Sequence, residues 1–156
     1  MMTETERNAA FRACPILRDY VSTMLQDLQL SEADEACTEG REALDAGTIY
    51  TLGDDEFNAC RRSCERFMSE NAEAIAQALE LEPGEEGLEY GRDYIGHDRI
   101  GSTFYLTRVG HGVAATDDGN APCLKSLADA ARSFGYMEGA YFGDDGRVYL
   151  MGGDAS

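Results

Sequence analysis

Residues 95–118 read IGHDRIGSTFYLTRVGHGVAATDD, and the fold assigned to the chain turns on how this stretch is read. It contains both histidines of the sequence, His97 and His111. From Thr103 to Val109 it is rich in the aromatic and β-branched residues that strands favour. Alternation along a strand would set Phe104, Leu106 and Arg108 on one face and Tyr105, Thr107 and Val109 on the other. Gly110-His111-Gly112 would then supply the positive φ angles of a hairpin turn, and Val113–Thr116 the returning strand.

Downstream, Pro122 opens an expected helix to Ser133, with Leu124, Leu127, Ala128 and Ala131 on its buried side and Gly135 ending it. Tyr136–Phe142 and Arg147–Met151 flank Gly143-Asp144-Asp145-Gly146 and read as a second hairpin. Upstream, the chain reads as helical. Cys14–Leu30 places Leu17, Tyr20 or Val21, Met24 and Leu28 at helical spacing, with Pro15 in the first turn. Ser31–Gly53 reads as an acidic loop that could hold a short helix between Arg41 and Asp45, and Thr48–Leu52 as a short strand. Asp54–Leu81 is the clearest helix, with one stripe through Phe57, Cys60, Cys64, Phe67, Asn71, Ile75 and Ala78. The expected architecture is therefore α+β: one domain over residues 1–156, in which N-terminal helices of an acidic part (1–95) pack on a small antiparallel sheet built as hairpin-helix-hairpin, ββαββ, by residues 96–156.

Charge narrows the function classes. The 156 residues carry a net charge of −17. Residues 1–95 hold 22 acids and 8 arginines, a net of −14, and residues 96–156 hold 8 acids and 5 bases, a net of −3. The only lysine is Lys125. Direct binding to nucleic acid or to an anionic membrane calls for a basic face and is not expected. No apolar run approaches the ~18 residues of a membrane span. The N-terminal residues lack the basic and apolar regions of an export signal, so a cytoplasmic protein with reduced thiols at Cys14, Cys37, Cys60, Cys64 and Cys123 is expected.

The stretch also carries a resemblance. Gly96-His97-Asp98, followed by Phe104-Tyr105-Leu106-Thr107-Arg108-Val109-Gly110-His111-Gly112, resembles the G-H-D-F-W-L-T-R-N-G-H-G signature of a family of small, largely uncharacterised phage proteins. Arg99–Thr103 reads as an insertion in that signature. The likeness continues through Tyr50–Ile75, with Cys64, Phe67 and Asn71 at matching places, and through Leu127, Ala130, Gly135, Asp144-Asp145-Gly146 and Val148-Tyr149. At Ala114-Ala115 the chain departs from the bulky aromatic usual in the family. The resemblance implies a phage or prophage accessory product and says nothing of an activity.

Site readings follow from these features. Cys60 and Cys64, with His97 and His111, could be assembled on paper into a zinc set, but both cysteines lie on the apolar stripe, where a thiol is a small hydrophobe. Neither a metal nor a cofactor is expected, and no nucleophile or phosphate-loop motif marks an enzyme. His97, Asp98, Arg108 and His111 are possible hairpin contacts; each also reads as a structural group, with Arg108 paired to Asp98 or Asp117. The leading functional reading is electrostatic. A globular chain of this length is about 39 Å across, and B-DNA of that length bears roughly 23 phosphate charges, the same order as the charge of this protein. Glu32, Asp34, Glu35, Glu39, Glu42, Asp45, Asp54, Asp55 and Glu56 are then the candidate partner-binding residues. They would occupy the basic groove of a host nucleic-acid-binding protein, such as a CRISPR effector or a restriction enzyme. The alternatives are an interaction module whose acidity serves solubility alone, and a cysteine- or metal-dependent enzyme.

Overall fold

The computed structural model describes residues 2–33, 52–84, 86–88, 94–110, 115–137, 139–142 and 148–151. In chain order its elements are α1 (Glu4–Ala13), α2 (Leu17–Ala33), α3 (Asp54–Glu70), α4 (Ala72–Leu79), α5 (His97–Arg108), a 3-10 turn (Ala115–Asp118), α6 (Pro122–Ser133), β1 (Gly139–Phe142) and β2 (Val148–Met151). Helices take 69% of the described residues. The sheet has two antiparallel strands, with Gly139 opposite Met151 and Phe142 opposite Val148. The expected ββαββ sheet is therefore not the architecture. The expected strand Thr103–Val109 is replaced by a helix, and the described residues form a helical assembly with one short pair of antiparallel strands.

The correction lies in α5. Ile100, Gly101, Thr103, Phe104, Tyr105 and Arg108 are all buried, a three-and-four spacing and not a two-residue one. Both threonines satisfy their hydroxyls inside the helix: Thr103 donates to the Arg99 carbonyl (2.9 Å) and Thr107 to the Thr103 carbonyl (2.7 Å). Gly110 does adopt a left-handed conformation, φ +77°. It uses it just beyond the end of α5, where such a residue terminates a helix, and not in a hairpin turn.

α2 is the central packing element. It crosses α5 so closely that a Cβ on Gly101 would overlap the carbonyl oxygen of Ile16 and lie 3.2 Å from Asp19 Cβ. Thr23 and Ser102 hydroxyls share a 2.8 Å hydrogen bond across this contact. Tyr105 donates to Asp27 at 3.2 Å. Tyr20, fully buried, meets Phe104 at 5.2 Å and Tyr105 edge-on at 5.4 Å between centroids. α3 contributes Phe57, Cys60, Cys64 and Phe67 to the same core. Phe67 stacks on Phe104 at 4.1 Å, and Phe134 packs edge-on against both. Such ring pairs add about 1 kcal/mol each beyond the area they bury.

The helix expected over Asp54–Leu81 is two helices. Asn71 separates α3 from α4, and its side-chain amide donates to the Phe67 carbonyl at 2.9 Å, capping α3. The N-terminal residues form their own helix, with Thr3 accepting the Glu6 N–H. Pro15 thus lies in the corner between α1 and α2, outside the first turn in which it was expected. α6 is found where the sequence put it; of the second hairpin the strand expected over Tyr136–Phe142 begins only at Gly139, and the expected turn, Gly143-Asp144-Asp145-Gly146, lies outside the described residues. Leu52 makes one parallel bridge to Val148, and Gly53 N–H donates to the Val148 carbonyl at 3.3 Å.

Candidate functional site

The four residues singled out around the supposed hairpin go to different places. His97 opens α5 and is partly buried; Asp98 follows it, exposed in the first turn, where a carboxylate complements the helix dipole. His111 lies outside the described residues. Arg108 points inward and is 2% exposed. Its Nη1 donates to Tyr20 Oη (3.0 Å) and to Ser63 Oγ (3.3 Å). The guanidinium lies 5.8 Å from the centre of the Phe104 ring and 5.7 Å from that of Phe134. Its Nε has no hydrogen-bond partner among the described residues.

The expected pairing of Arg108 with Asp98 or Asp117 is thus replaced by hydroxyls and aromatic faces. The carboxylate drawn into the interior is the neighbouring Asp118, 1% exposed, which accepts from Arg99 Nε at 3.0 and 3.1 Å through its two oxygens. That pair fastens the 3-10 turn to α5.

The thiols of α3 lie within this interior. Cys60 and Cys64 are fully buried beside Tyr20, and Cys14 reaches them from the end of α1. Burial pushes the Tyr20 phenol well above its ordinary range, with Cys60 adding to the rise and Arg108 opposing it. Burial also pushes the Cys64 thiol up, whereas a hydrogen bond from Cys64 lowers that of Cys14. Among the described residues no three metal-capable side chains converge.

Of the nine acids assigned to partner binding, Asp34, Glu35, Glu39, Glu42 and Asp45 lie outside the described residues. Glu32 is in the last turn of α2. Asp54, Asp55 and Glu56 fill the first turn of α3, where negative charge offsets the exposed N–H groups. Asp54 is further committed: it accepts from the Met2 backbone N–H and from Arg7 Nη2, each at 2.9 Å, and these contacts lower its pKa.

The acids more openly presented are those on and around α4. From Phe67 to Leu88 the sequence has six glutamates and no base. Glu70, Glu73, Glu80, Glu82 and Glu86 are exposed, and Glu80 and Glu82 line a shallow groove with Pro83 and Gly84. Acids are denser over residues 32–56, which hides this run in a simple count. The signal that would have found it is the absence of arginine, not the count of glutamate.

Comparison of the chain with protein-family models, with curated proteins and with solved structures gave no match.

Proposed function

We propose that the protein is an acidic inhibitor, of the phage accessory kind implied by its resemblance, that covers the basic groove of a host nucleic-acid-binding protein and thereby excludes nucleic acid. CRISPR effectors and restriction enzymes are the target class. The observation that carries this reading is the imbalance between where acids and bases go. Arg7 and Arg108 are buried, and Arg99 is spent on Asp118. Exposed Glu70, Glu73, Glu80, Glu82 and Glu86 lie at the end of α3, on α4 and in the turns after it, without an intervening base. Arg7 and Arg99 are each matched by a carboxylate, so the buried Arg108, which has no carboxylate partner among the described residues, is what leaves the outer surface more negative than the net charge.

The test is competition. The protein is added to a host nuclease bound to a labelled duplex, and displacement is followed as salt is raised. Wild type should displace the duplex, with potency falling steeply between ~0.05 and ~0.2 M salt. Replacing Glu73, Glu80, Glu82 and Glu86 together by Gln should weaken displacement at least tenfold. Unchanged potency in that variant and in a second one neutralised at Glu32, Asp34, Glu35, Glu39, Glu42 and Asp45 would refute mimicry.

A second reading, an interaction module without mimicry, is favoured by the exposure of Tyr94, Tyr136 and Tyr141. Exposed tyrosines are frequent anchors of protein interfaces. Partner capture that survives high salt but is lost on changing Tyr136 and Tyr141 to Ser would select it.

A further inference from the structure

The corner between α1 and α2 opens into a cleft of about 320 Å³, lined by Asn8, Phe11, Arg12, Pro15, Arg18 and Asp19. Its walls are held in place. Phe11 is buried and packs edge-on against Phe57 at 5.5 Å between centroids. The Arg18 guanidinium lies over the Phe11 ring, 5.3 Å from its centre. The corner itself is pinned by the Cys14 N–H, which donates to the Ala10 carbonyl at 2.9 Å, and by the Leu17 N–H, which donates to the Cys14 carbonyl at 3.0 Å. α5 braces the first turn of α2, where a Cβ on Gly101 would meet the Ile16 carbonyl oxygen and Asp19 Cβ. Charge sets this cleft apart. The chain has 30 acids against 13 bases, so carboxylates are in excess for every arginine. Arg7, Arg61, Arg66, Arg99 and Arg132 each take one. Arg12 and Arg18 are exposed, line the same opening, and form no ion pair among the described residues.

We propose that this cleft binds a small phosphate monoester that also carries a hydroxyl or amino group, with Arg12 and Arg18 on the phosphate and Asp19 on the donor. A guanidinium offers paired N–H donors that match two phosphate oxygens, and two of them on one opening answer the charge of a phosphate monoester. Asp19 is the carboxylate of the cleft, and it suits a ligand hydroxyl or amino group, from which it accepts. Burial and the nearby Asp98 raise its pKa, against the pull of Arg18. The volume stands at the lower end of the about 300–1,000 Å³ usual for small-molecule sites, which matches a sugar phosphate or a mononucleotide. A longer polyanion would bring further phosphates against a chain of net charge −17. For a single phosphate at ~0.15 M salt, charges beyond about 8 Å are largely screened, and the two guanidiniums set the local field. None of the six residues belongs to the acidic surface described above, so loss of either binding activity leaves the other intact.

To test this, the full chain is titrated calorimetrically, at ~0.15 M salt, with ribose 5-phosphate, adenosine monophosphate, adenosine and inorganic phosphate. The two esters should bind saturably with a Kd of ~1 mM or tighter. Inorganic phosphate should bind about tenfold more weakly, and adenosine should not bind. Arg12→Gln and Arg18→Gln should each weaken the esters about tenfold, and Arg18→Lys nearly as much, because an ammonium cannot make the paired contact. Asp19→Ala should narrow the gap between the esters and inorganic phosphate. Arg62→Gln, at an exposed arginine of α3 outside the cleft, should bind as wild type does. Each variant is first checked for native helicity. Failure of both esters to bind at ~10 mM overturns the proposal, as does full binding by the Arg12 and Arg18 variants. Binding of adenosine as tight as its monophosphate, parity of inorganic phosphate with the esters, or an equal loss in Arg62→Gln would overturn it as well.

Discussion

Arg108 is the residue on which the interior depends most. Burying a guanidinium is costly where its donors and charge go unanswered, and here two hydroxyls and two ring faces answer part of that demand while Nε has no partner among the described residues. Arg108→Ala should therefore destabilise the fold by about 3 kcal/mol, combining a cavity with stranded Tyr20 and Ser63 hydroxyls. Arg108→Met, which refills the volume without the charge, should cost less than half of that; urea midpoints would decide, and equal losses would show that volume is not the issue. Asp118→Asn should cost about 2 kcal/mol by leaving Arg99 without its carboxylate. Tyr20 and Tyr105 set an alkaline limit. Burial raises both phenols above their ordinary pKa of 10.0, and Asp27 adds to the rise at Tyr105. A group that holds its proton more tightly when folded contributes fully below its unfolded pKa and loses that contribution as pH rises beyond it. The urea midpoint should thus fall above pH ~10, and the tyrosinate absorbance of these two residues should appear only with unfolding. Their ionisation in the folded state would contradict the burial.

Among the elements, α5 and its crossing with α2 decide the architecture. Gly101→Ala would ordinarily add about 1 kcal/mol to an exposed helix. At this position the new Cβ meets backbone of α2, and the expected outcome is a net loss of about 2 kcal/mol. A higher melting temperature in this variant would mean that the helices do not meet as described. The same crossing explains which elements could be read in advance. α3 and α6 bury Phe, Leu, Ala and Cys at helical spacing, and α2 does so with Leu17, Tyr20, Val21 and Met24, so their periodicity stands in the sequence. The pairing of β1 with β2 was expected from two short apolar runs separated by glycine- and aspartate-rich sequence. α5 buries Gly101, Thr103 and Arg108 with its aromatics, and a buried face that includes a glycine, a hydroxyl and a cation leaves no apolar stripe to detect. Its β-branched and aromatic residues then argued for a strand, and tertiary contact with α2 overrode that preference. The break at Asn71 was hidden for the opposite reason. The apolar spacing runs on across it, and only the side-chain cap to Phe67 marks the interruption.

At the scale of the whole molecule, charge and connectivity govern behaviour. With a net charge of −17, mutual repulsion among carboxylates opposes compaction. Raising salt from ~0.01 to ~0.15 M should therefore raise the melting temperature, in contrast to a fold held by surface ion pairs. A drop over that range would show that attractive pairs such as Arg61–Glu65 and Arg66–Glu70 dominate. The electrostatic character of the candidate surface was legible from composition, but its position was not, because burial of Arg7 and Arg108 and the commitment of Asp54 are properties of the folded chain. Finally, the bridge from Leu52 to Val148 has a consequence for biosynthesis. Val148 and Met137 are fully enclosed, and Tyr20 in α2 donates to Met137 sulfur at 3.9 Å. Helices made earlier are thus completed by residues made much later, and contacts of such long sequence separation form slowly. A nascent chain halted before Val148 lacks the residue that covers Leu52, so this part of the core is closed only after residue 148 has been made.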